Sequence, residues 1–298
     1  MARVLLITNP AAARTDPQVV RTVSTVLERE GWEVDVVGTT RPGHAAELAR
    51  DGVRDGVDVI AVYGGDGTTM QAVQGLMGSD VPVALIPGGT GNLLAGNLRL
   101  PRDPAQAARI VATGVPRAVD LGQMDRPEGP RFFAVACGAG FDAELMNTTT
   151  TDAKRRWKMG AYVARAAEAI VDVRNAPTRV LVDGRTIDTT AASVMVVNCP
   201  EFIPPFLKFR SGISLDDGLF DVIILSADGF LDSVGALLQL VGGGPPGGGV
   251  HFARGREVTV EMEPSHAVQA DGDPAGATPF TARVLPGALR VLVPRNGA

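Results

Sequence analysis

The segment "YGGDGTTM", Tyr63–Met70, decides how the chain is read. It follows the apolar run "VDVIAV" at 57–62. It leads into residues with helical spacing of apolar side chains, Met70, Val73, Leu76 and Met77. A strand that breaks on glycines and restarts as a helix presents unpaired main-chain N–H groups at the helix start, where the helix dipole adds positive potential. Glycine lets the backbone close on phosphate oxygens. Asp66 would be repelled by phosphates unless it held a magnesium ion or a sugar hydroxyl. The Gly-Lys-Ser/Thr ending of a Walker A loop is missing. Taken alone, the segment reads equally well as an ordinary β-α turn.

Its neighbours shift that balance. The next strand candidate ends in "LIPGGTGNLLAGN", Leu85–Asn97, where Gly89, Thr90 and Asn92 again place glycine, hydroxyl and amide groups after an apolar run. Asn9-Pro10 ends the first strand candidate, and Thr39-Thr40 follow the second. In an open parallel sheet, loops at the carboxyl ends of adjacent strands converge on one crevice. Four polar or glycine-rich strand ends therefore point to an anion-binding edge.

Outward from this segment, strands are expected at Val4–Thr8, Trp32–Val37, Val57–Tyr63 and Val83–Pro87. Asp16 as N-cap, Pro17 behind it and Gly31 at the end bracket a first helix. Further helices are expected at about Gly43–Val53, at Thr68–Met77, and from Asp103-Pro104 to near Gly114. The alternation predicts an α/β, doubly wound nucleotide-binding domain over 1–122. Beyond it, strand patterns cluster at Phe132–Ala136, Arg179–Val182, Ser193–Val197, Leu219–Leu225, Glu257–Met262, Ala267–Ala270, Thr281–Leu285 and Leu289–Val293, many of them set off by turns such as "DGR", "DGD" and "PGA". This predicts a mainly antiparallel β-sandwich over 123–283, with the 284–298 strand free to return to the first domain. Helices are expected at Asp152–Val171 and Phe230–Val241, and "GGGPPGGG" at 242–249 reads as a loop.

The bulk composition bounds the function. The chain has 298 residues, 45% hydrophobic and 20% charged, with net charge −5. That is enough apolar material for large cores, and the acidic balance argues against nucleic acid as a partner. Cys137 and Cys199 sit in apolar contexts and read as buried, reduced thiols. No run approaches the roughly 20 apolar residues of a membrane span, so a cytoplasmic protein is expected. Lys154, Arg155, Arg156 and Lys158 beside Trp157 suit either an anionic membrane surface or a solvated helix end. Phe202, Ile203, Phe206 and Leu207 suit either a lipid entrance or the core. Exposed strand edges leave a homodimer open.

The segments "GGDGT" (64–68), "PGGTGN" (87–92), "NP" (9–10) and "TRPGHA" (40–45) together resemble the diacylglycerol kinase catalytic-domain family. That family includes bacterial soluble lipid kinases and the sphingosine and ceramide kinases. "GAGFDAELM" (138–146), "DDGLFDVIIL" (216–225) and "QADGDPAGATPF" (269–280) extend the resemblance over essentially the whole chain. It implies ATP in a crevice between the domains. Asn9 and Gly64, Gly65, Asp66, Gly67, Thr68, Thr69 and Met70 would lie around the phosphates, with Thr39, Gly89, Thr90 and Asn92 completing the nucleotide site. It also implies an Mg2+ or Ca2+ ion held by Ser214, Asp217 and the Leu219 carbonyl, although an Asp-Gly turn there needs no ion. Asp273 takes the place of the family's general base, with Asp271 able to share the role or to bind the active Mg2+. The implied acceptor is a lipid hydroxyl, met at a membrane surface by a transiently peripheral enzyme. This chain departs from the family in three ways: Asp273 stands for Glu, Leu93 for Asp, and no glycine follows Asn9-Pro10. NAD kinase shares "GGDGT" and is the alternative enzyme. A non-catalytic lipid-binding protein on the same fold is the alternative class.

Overall fold

The computed structural model describes residues 1–11, 16–126, 129–140, 175–203, 207–208, 212–226 and 249–295. The chain divides into two compact units. The first comprises Met1–Asp120, Ile203–Pro205 and Gly287–Ala298; the second comprises Leu121–Phe202 and Phe206–Pro286. The expected helices at 152–171 and 230–241, the basic cluster at 154–158 and residues 242–248 lie outside the described residues. So do the side chains of Phe202, Ile203, Phe206 and Leu207. Among the described residues no helix is long and apolar enough to cross a membrane.

The first unit alternates β1 (Ala2–Thr8), α1 (Pro17–Arg29), β2 (Trp32–Gly38), α2 (His44–Arg54), β3 (Val59–Gly64), α3 (Asp66–Leu76), β4 (Val83–Pro87), α4 (Leu93–Asn97) and α5 (Pro104–Thr113). The strands run parallel in the order β2-β1-β3-β4. Every residue of β3 is buried, as expected of a parallel strand covered on both faces. Two helices start where the sequence caps them. Asp16 accepts from the Gln18 N–H at 2.7 Å and Asp103 from the Gln106 N–H at 2.8 Å, each with proline in the first turn. These carboxylates satisfy N–H groups that have no partner within the helix.

The order places a topological switch point between β1 and β3, where the connections leave in opposite directions and a crevice opens beyond the strand tips. Helices α2 and α3 pack closely above the sheet. Ala45, Ala46 and Ala49 are fully or nearly fully buried, and Gly75 of α3 sits against the Ala46 carbonyl oxygen with no room for a Cβ.

The second unit contains β6 (Arg131–Phe133), β7 (Ala136–Gly140), β8 (Ala176–Val182), β9 (Arg185–Ala191), β10 (Ser193–Val197), β13 (Phe220–Leu225), β14 (Val250–Gly255), β15 (Glu257–Met262), β16 (Ala267–Ala270) and β17 (Asp273–Ala277), while β11 (Glu201–Ile203) and β12 (Leu207–Lys208) pair in a two-stranded sheet of their own. Two long strands, β5 (Val115–Met124) and β18 (Phe280–Val293), each carry the chain from one unit into the other. One sheet of the second unit runs β14-β13-β10-β7-β16-β17, all antiparallel. The other includes β15 paired antiparallel with β8 and with the first part of β18, and β9 beside β8. Cys137, Val194, Val196, Val222 and Val268 from the first sheet meet Val180, Val258, Val260 and Ala282 from the second in one buried core. The rings of Phe133 and Phe220 stack there with centroids 5.6 Å apart. Two sheets sharing one apolar layer make a β-sandwich.

Two sequence expectations change, and several strands were missed. The single strand expected at Phe132–Ala136 is two strands, separated at Ala134-Val135. The two strands expected at Thr281–Leu285 and Leu289–Val293 are one, running through Pro286-Gly287. Strands β5, β9, β11, β12, β14 and β17 had no counterpart in the sequence reading.

Candidate functional site

In the first unit the four strand tips lie side by side. Thr8 is level with Gly38 on one side and Tyr63 on the other, and Gly64 is level with Pro87. Gly65 is the N-cap of helix α3, and its lack of a side chain leaves the helix start without a side-chain cap, unlike α1 and α5. The first-turn N–H groups of an uncapped helix attract an anion.

Two glycine loops are fastened together around this helix start. Gly88 donates its N–H to the Gly64 carbonyl at 2.9 Å. A Cβ on Gly89 would lie 2.5 Å from the Gly65 Cα, so only glycine permits the approach. The Asp66 carboxylate accepts from the Asn92 N–H at 2.8 Å and the Leu93 N–H at 2.5 Å, tying the β3–α3 loop to the start of α4. Asn92, at φ 50°, closes its own loop: Oδ1 accepts from the Gly89 N–H at 2.9 Å, and Nδ2 donates to the Gly89 carbonyl at 2.8 Å. Across the switch point Asn9 Nδ2 donates to Thr68 Oγ1 at 2.9 Å, while Asn9 Oδ1 accepts from the Ala11 N–H at 3.0 Å. A small pocket between the loops is lined by Gly64, Asp66, Thr69, Pro87, Asn92 and Leu94, among others.

Most of the expected nucleotide residues are thus neighbours: Asn9, Gly64–Thr69, Gly89 and Asn92. The structure also assigns them different work. Asn9, Asp66 and Asn92 use their side chains to shape the loops, accepting the main-chain N–H groups of Ala11, of Asn92 and Leu93, and of Gly89. Thr39 ends its strand with its N–H on the Thr8 carbonyl at 2.8 Å, and Thr90 is exposed on the loop. The loop after β2 is held by Arg41, whose guanidinium grips Glu47 at 2.9 and 2.5 Å. That contact raises the Arg41 pKa and lowers that of Glu47.

In the second unit the "DGD" segment is a two-residue hairpin between β16 and β17, with Ala270 opposite Asp273. Asp271 and Gly272 both have positive φ, 49° and 83°, the combination that Asp-Gly supplies in a tight hairpin. The Asp271 carboxylate accepts three main-chain N–H groups, from Ala134 (2.7 Å), Val135 (2.8 Å) and Ala136 (3.0 Å). Those donors span the break between β6 and β7 and the first residue of β7. Asp271 is therefore an anchor. Asp273 stands beside it, more than half exposed, with Oδ2 on Arg131 at 3.0 Å. Behind the turn Cys199 is fully buried, and its Sγ donates to the Ala134 carbonyl. Burial, followed by the nearby Asp271 charge, pushes its thiol pKa well up.

In the 214–219 segment the polar side chains contact protein groups. Ser214 Oγ donates to Asp216 Oδ1 at 2.5 Å. Asp217 Oδ1 accepts the Leu219 N–H at 3.1 Å, and Asp217 Oδ2 is paired with Arg254. Among the described residues no group of three or more His, Cys, Asp or Glu side chains is disposed to hold a metal ion. The sequence reading did not single out Arg131 or Arg254. Arg131 on β6 and Asp273 on β17 meet although their strands are not paired, Arg254 sits on β14 beside β13, and no local motif marks either arginine.

Together these features define an α/β nucleotide-binding-like unit carried with an antiparallel β-sandwich. Residues 3–124 match the model of the diacylglycerol kinase catalytic domain, and residues 135–293 match that of the YegS C-terminal NAD kinase beta sandwich-like domain. A protein of Mycobacterium tuberculosis named "Diacylglycerol kinase" is 31% identical over 280 residues, spanning 91% of this chain and 88% of the relative. A Chromohalobacter salexigens protein named "Probable lipid kinase YegS-like" is 29% identical, spanning 98% and 94%. A crystal structure of a diacylglycerol kinase from Bacillus anthracis overlays with a TM-score of 0.77 at 21% identity, covering 99% of this chain and 98% of that one, which speaks for the fold. The chain belongs to the diacylglycerol kinase catalytic-domain family, and its relatives' names support a lipid kinase family.

Proposed function

We propose that this chain is an ATP-dependent lipid kinase that transfers the γ-phosphate to the hydroxyl of diacylglycerol or a related lipid. The observation that carries this is the pair of glycine loops bolted together by Asp66 around the uncapped start of α3. The cradle suits the phosphates of ATP: N–H groups and the helix dipole face the anion, and Gly65 and Gly89 leave no side chain in the way. Thr39, Thr69 and Thr90 add hydroxyls along the same edge.

In this reading Asp273 accepts the proton of the lipid hydroxyl as its oxygen bonds to the γ-phosphorus. The bond from that phosphorus to the β-γ bridging oxygen breaks, and ADP leaves. A base of this kind needs only hydrogen-bond reach to the hydroxyl. Arg131 fixes the direction of the Asp273 carboxylate, and Asp271 fixes the turn that carries it. Positioning and charge complementarity supply most of the acceleration in phosphoryl transfer. ATP would bring its own Mg2+, whose charge offsets that of the phosphates. Asp66, with both oxygens already accepting N–H groups, fits a cap better than a magnesium ligand, and no step is assigned to it. The lipid would be met at a membrane surface.

The test is phosphate transfer from labelled ATP to diacylglycerol, sphingosine, ceramide and NAD, presented separately. A labelled lipid supports the proposal. Transfer to NAD alone would favour the second reading, for which the NAD kinase-like description of the matched sandwich speaks. ATP binding with no acceptor phosphorylated would favour a non-catalytic protein on this fold.

A further inference from the structure

The family resemblance calls for a divalent ion at Ser214, Asp217 and Leu219. The structure puts an arginine there. Register pairs Arg254 on β14 directly with Asp221 on β13. From that position Arg254 Nη2 contacts the Gly212 carbonyl oxygen at 3.3 Å and the Asp217 carboxylate, and Nε lies 3.3 Å from Asp221 Oδ2. One guanidinium gathers a main-chain carbonyl and two carboxylates, the kind of oxygen set a hard cation collects. Two of the side chains expected as ligands already hold other partners. Ser214 donates its hydroxyl to Asp216, and Asp217 Oδ1 accepts the Leu219 N–H. A divalent ion on Asp217 would share that carboxylate with a permanent positive charge. Arginine cannot relieve the conflict by giving up a proton.

We propose that Arg254 is the resident cation of the 212–221 loop. It neutralises Asp217 and Asp221 and pins the loop to β14, so that the loop holds its shape with no divalent ion. Removing the guanidinium leaves the same oxygens facing one another, and a divalent ion then takes its place.

The experiment is thermal unfolding of the full-length protein without nucleotide or lipid, in EDTA and in millimolar Ca2+ or Mg2+. It is therefore independent of the kinase assignment. The wild type is expected to unfold at one temperature under all three conditions. Arg254→Met is expected to unfold earlier in EDTA and to recover with Ca2+ or Mg2+. Arg254→Lys, which keeps the charge, is expected to remain insensitive to metal. A wild-type Tm that rises with Ca2+ or Mg2+, with the rise abolished by Asp217→Asn, would overturn the proposal. So would an Arg254→Met protein that folds but gains no response to either ion. If Arg254→Met does not fold, the wild type, Arg254→Lys and Asp217→Asn decide the matter, because a metal response confined to chains that retain Asp217 contradicts the proposal.

Discussion

Substituting Asp271→Asn isolates the carboxylate that holds the "DGD" turn. Asparagine tolerates the positive φ of this position, so the backbone cost is unchanged. The amide keeps one oxygen and places an NH2 group where the other stood. At least one of the three N–H donors at 134–136 then faces another donor, and the remaining bonds lose their charge assistance. Hydrogen bonds to a charged group contribute about 1.5–3 kcal/mol, and an orphaned donor costs about 1–3 kcal/mol. The site is part-exposed, so a net loss of about 2–3 kcal/mol is expected, near the low end of the combined range. At roughly 2–4 °C per kcal/mol for a unit of this size, the midpoint should fall by about 5–10 °C. Thermal unfolding followed by circular dichroism measures it. Asp188→Asn is the control, since its pair with Arg179 is well exposed and such pairs contribute about 0–1 kcal/mol. A fall below about 2 °C for Asp271→Asn, or one matching the control, would refute the anchoring argument.

Three further outcomes follow from the geometry. Gly89→Ala forces a Cβ against the Gly65 backbone and should weaken ATP binding at least about tenfold, or roughly 1.4 kcal/mol; unchanged affinity in calorimetry would contradict the cradle. Gly75→Ala should destabilise the protein although alanine is the better helix former by about 1 kcal/mol, because the methyl group meets the Ala46 carbonyl oxygen; a raised unfolding midpoint in urea would show that α2 and α3 are not packed this way. The side-chain contacts of Asp125 with Gln123, and then with Arg283, lower its pKa in the folded state. Their stabilisation is present above the usual carboxylate range and is lost as pH falls through the lowered value. The Tm deficit of Arg283→Met should therefore shrink on going from neutral pH into that acid range, and a deficit constant with pH would rule the linkage out.

How far the sequence could be read depends on where each instruction is written. Asp-Pro pairs at 16–17 and 103–104 cap helices locally, and the first-unit strands are short apolar runs, so both were legible. The convergence of "GGDGT" and "PGGTGN" was legible for the same reason: each loop follows its own strand. What Asp66 and Asn92 do there was not, because their partners lie on other loops or depend on a left-handed residue. Strand β17 reads "DPAGA", with proline and glycine that disfavour a strand; it exists as a sheet edge, where proline is tolerated. Pro286-Gly287 reads as a turn, yet β18 runs through it, with Gly287 donating its N–H to buried Asp120 at 2.7 Å. The break between β6 and β7 is set by Asp271, well over a hundred residues away. Arg131 and Arg254 become meaningful only once the fold has brought Asp273 on β17, and Asp217 in the loop before β13, to them.

The central claim is phosphate transfer to a lipid hydroxyl with Asp273 as base. The most direct test is the rate of transfer from ATP to dispersed diacylglycerol by the wild type and by Asp273→Asn, with unfolding midpoints measured alongside. The account predicts lipid phosphorylation by the wild type and a loss of about 10²-fold or more in Asp273→Asn, with the midpoint little changed because Asp273 is exposed. Equal rates in the two proteins would contradict it.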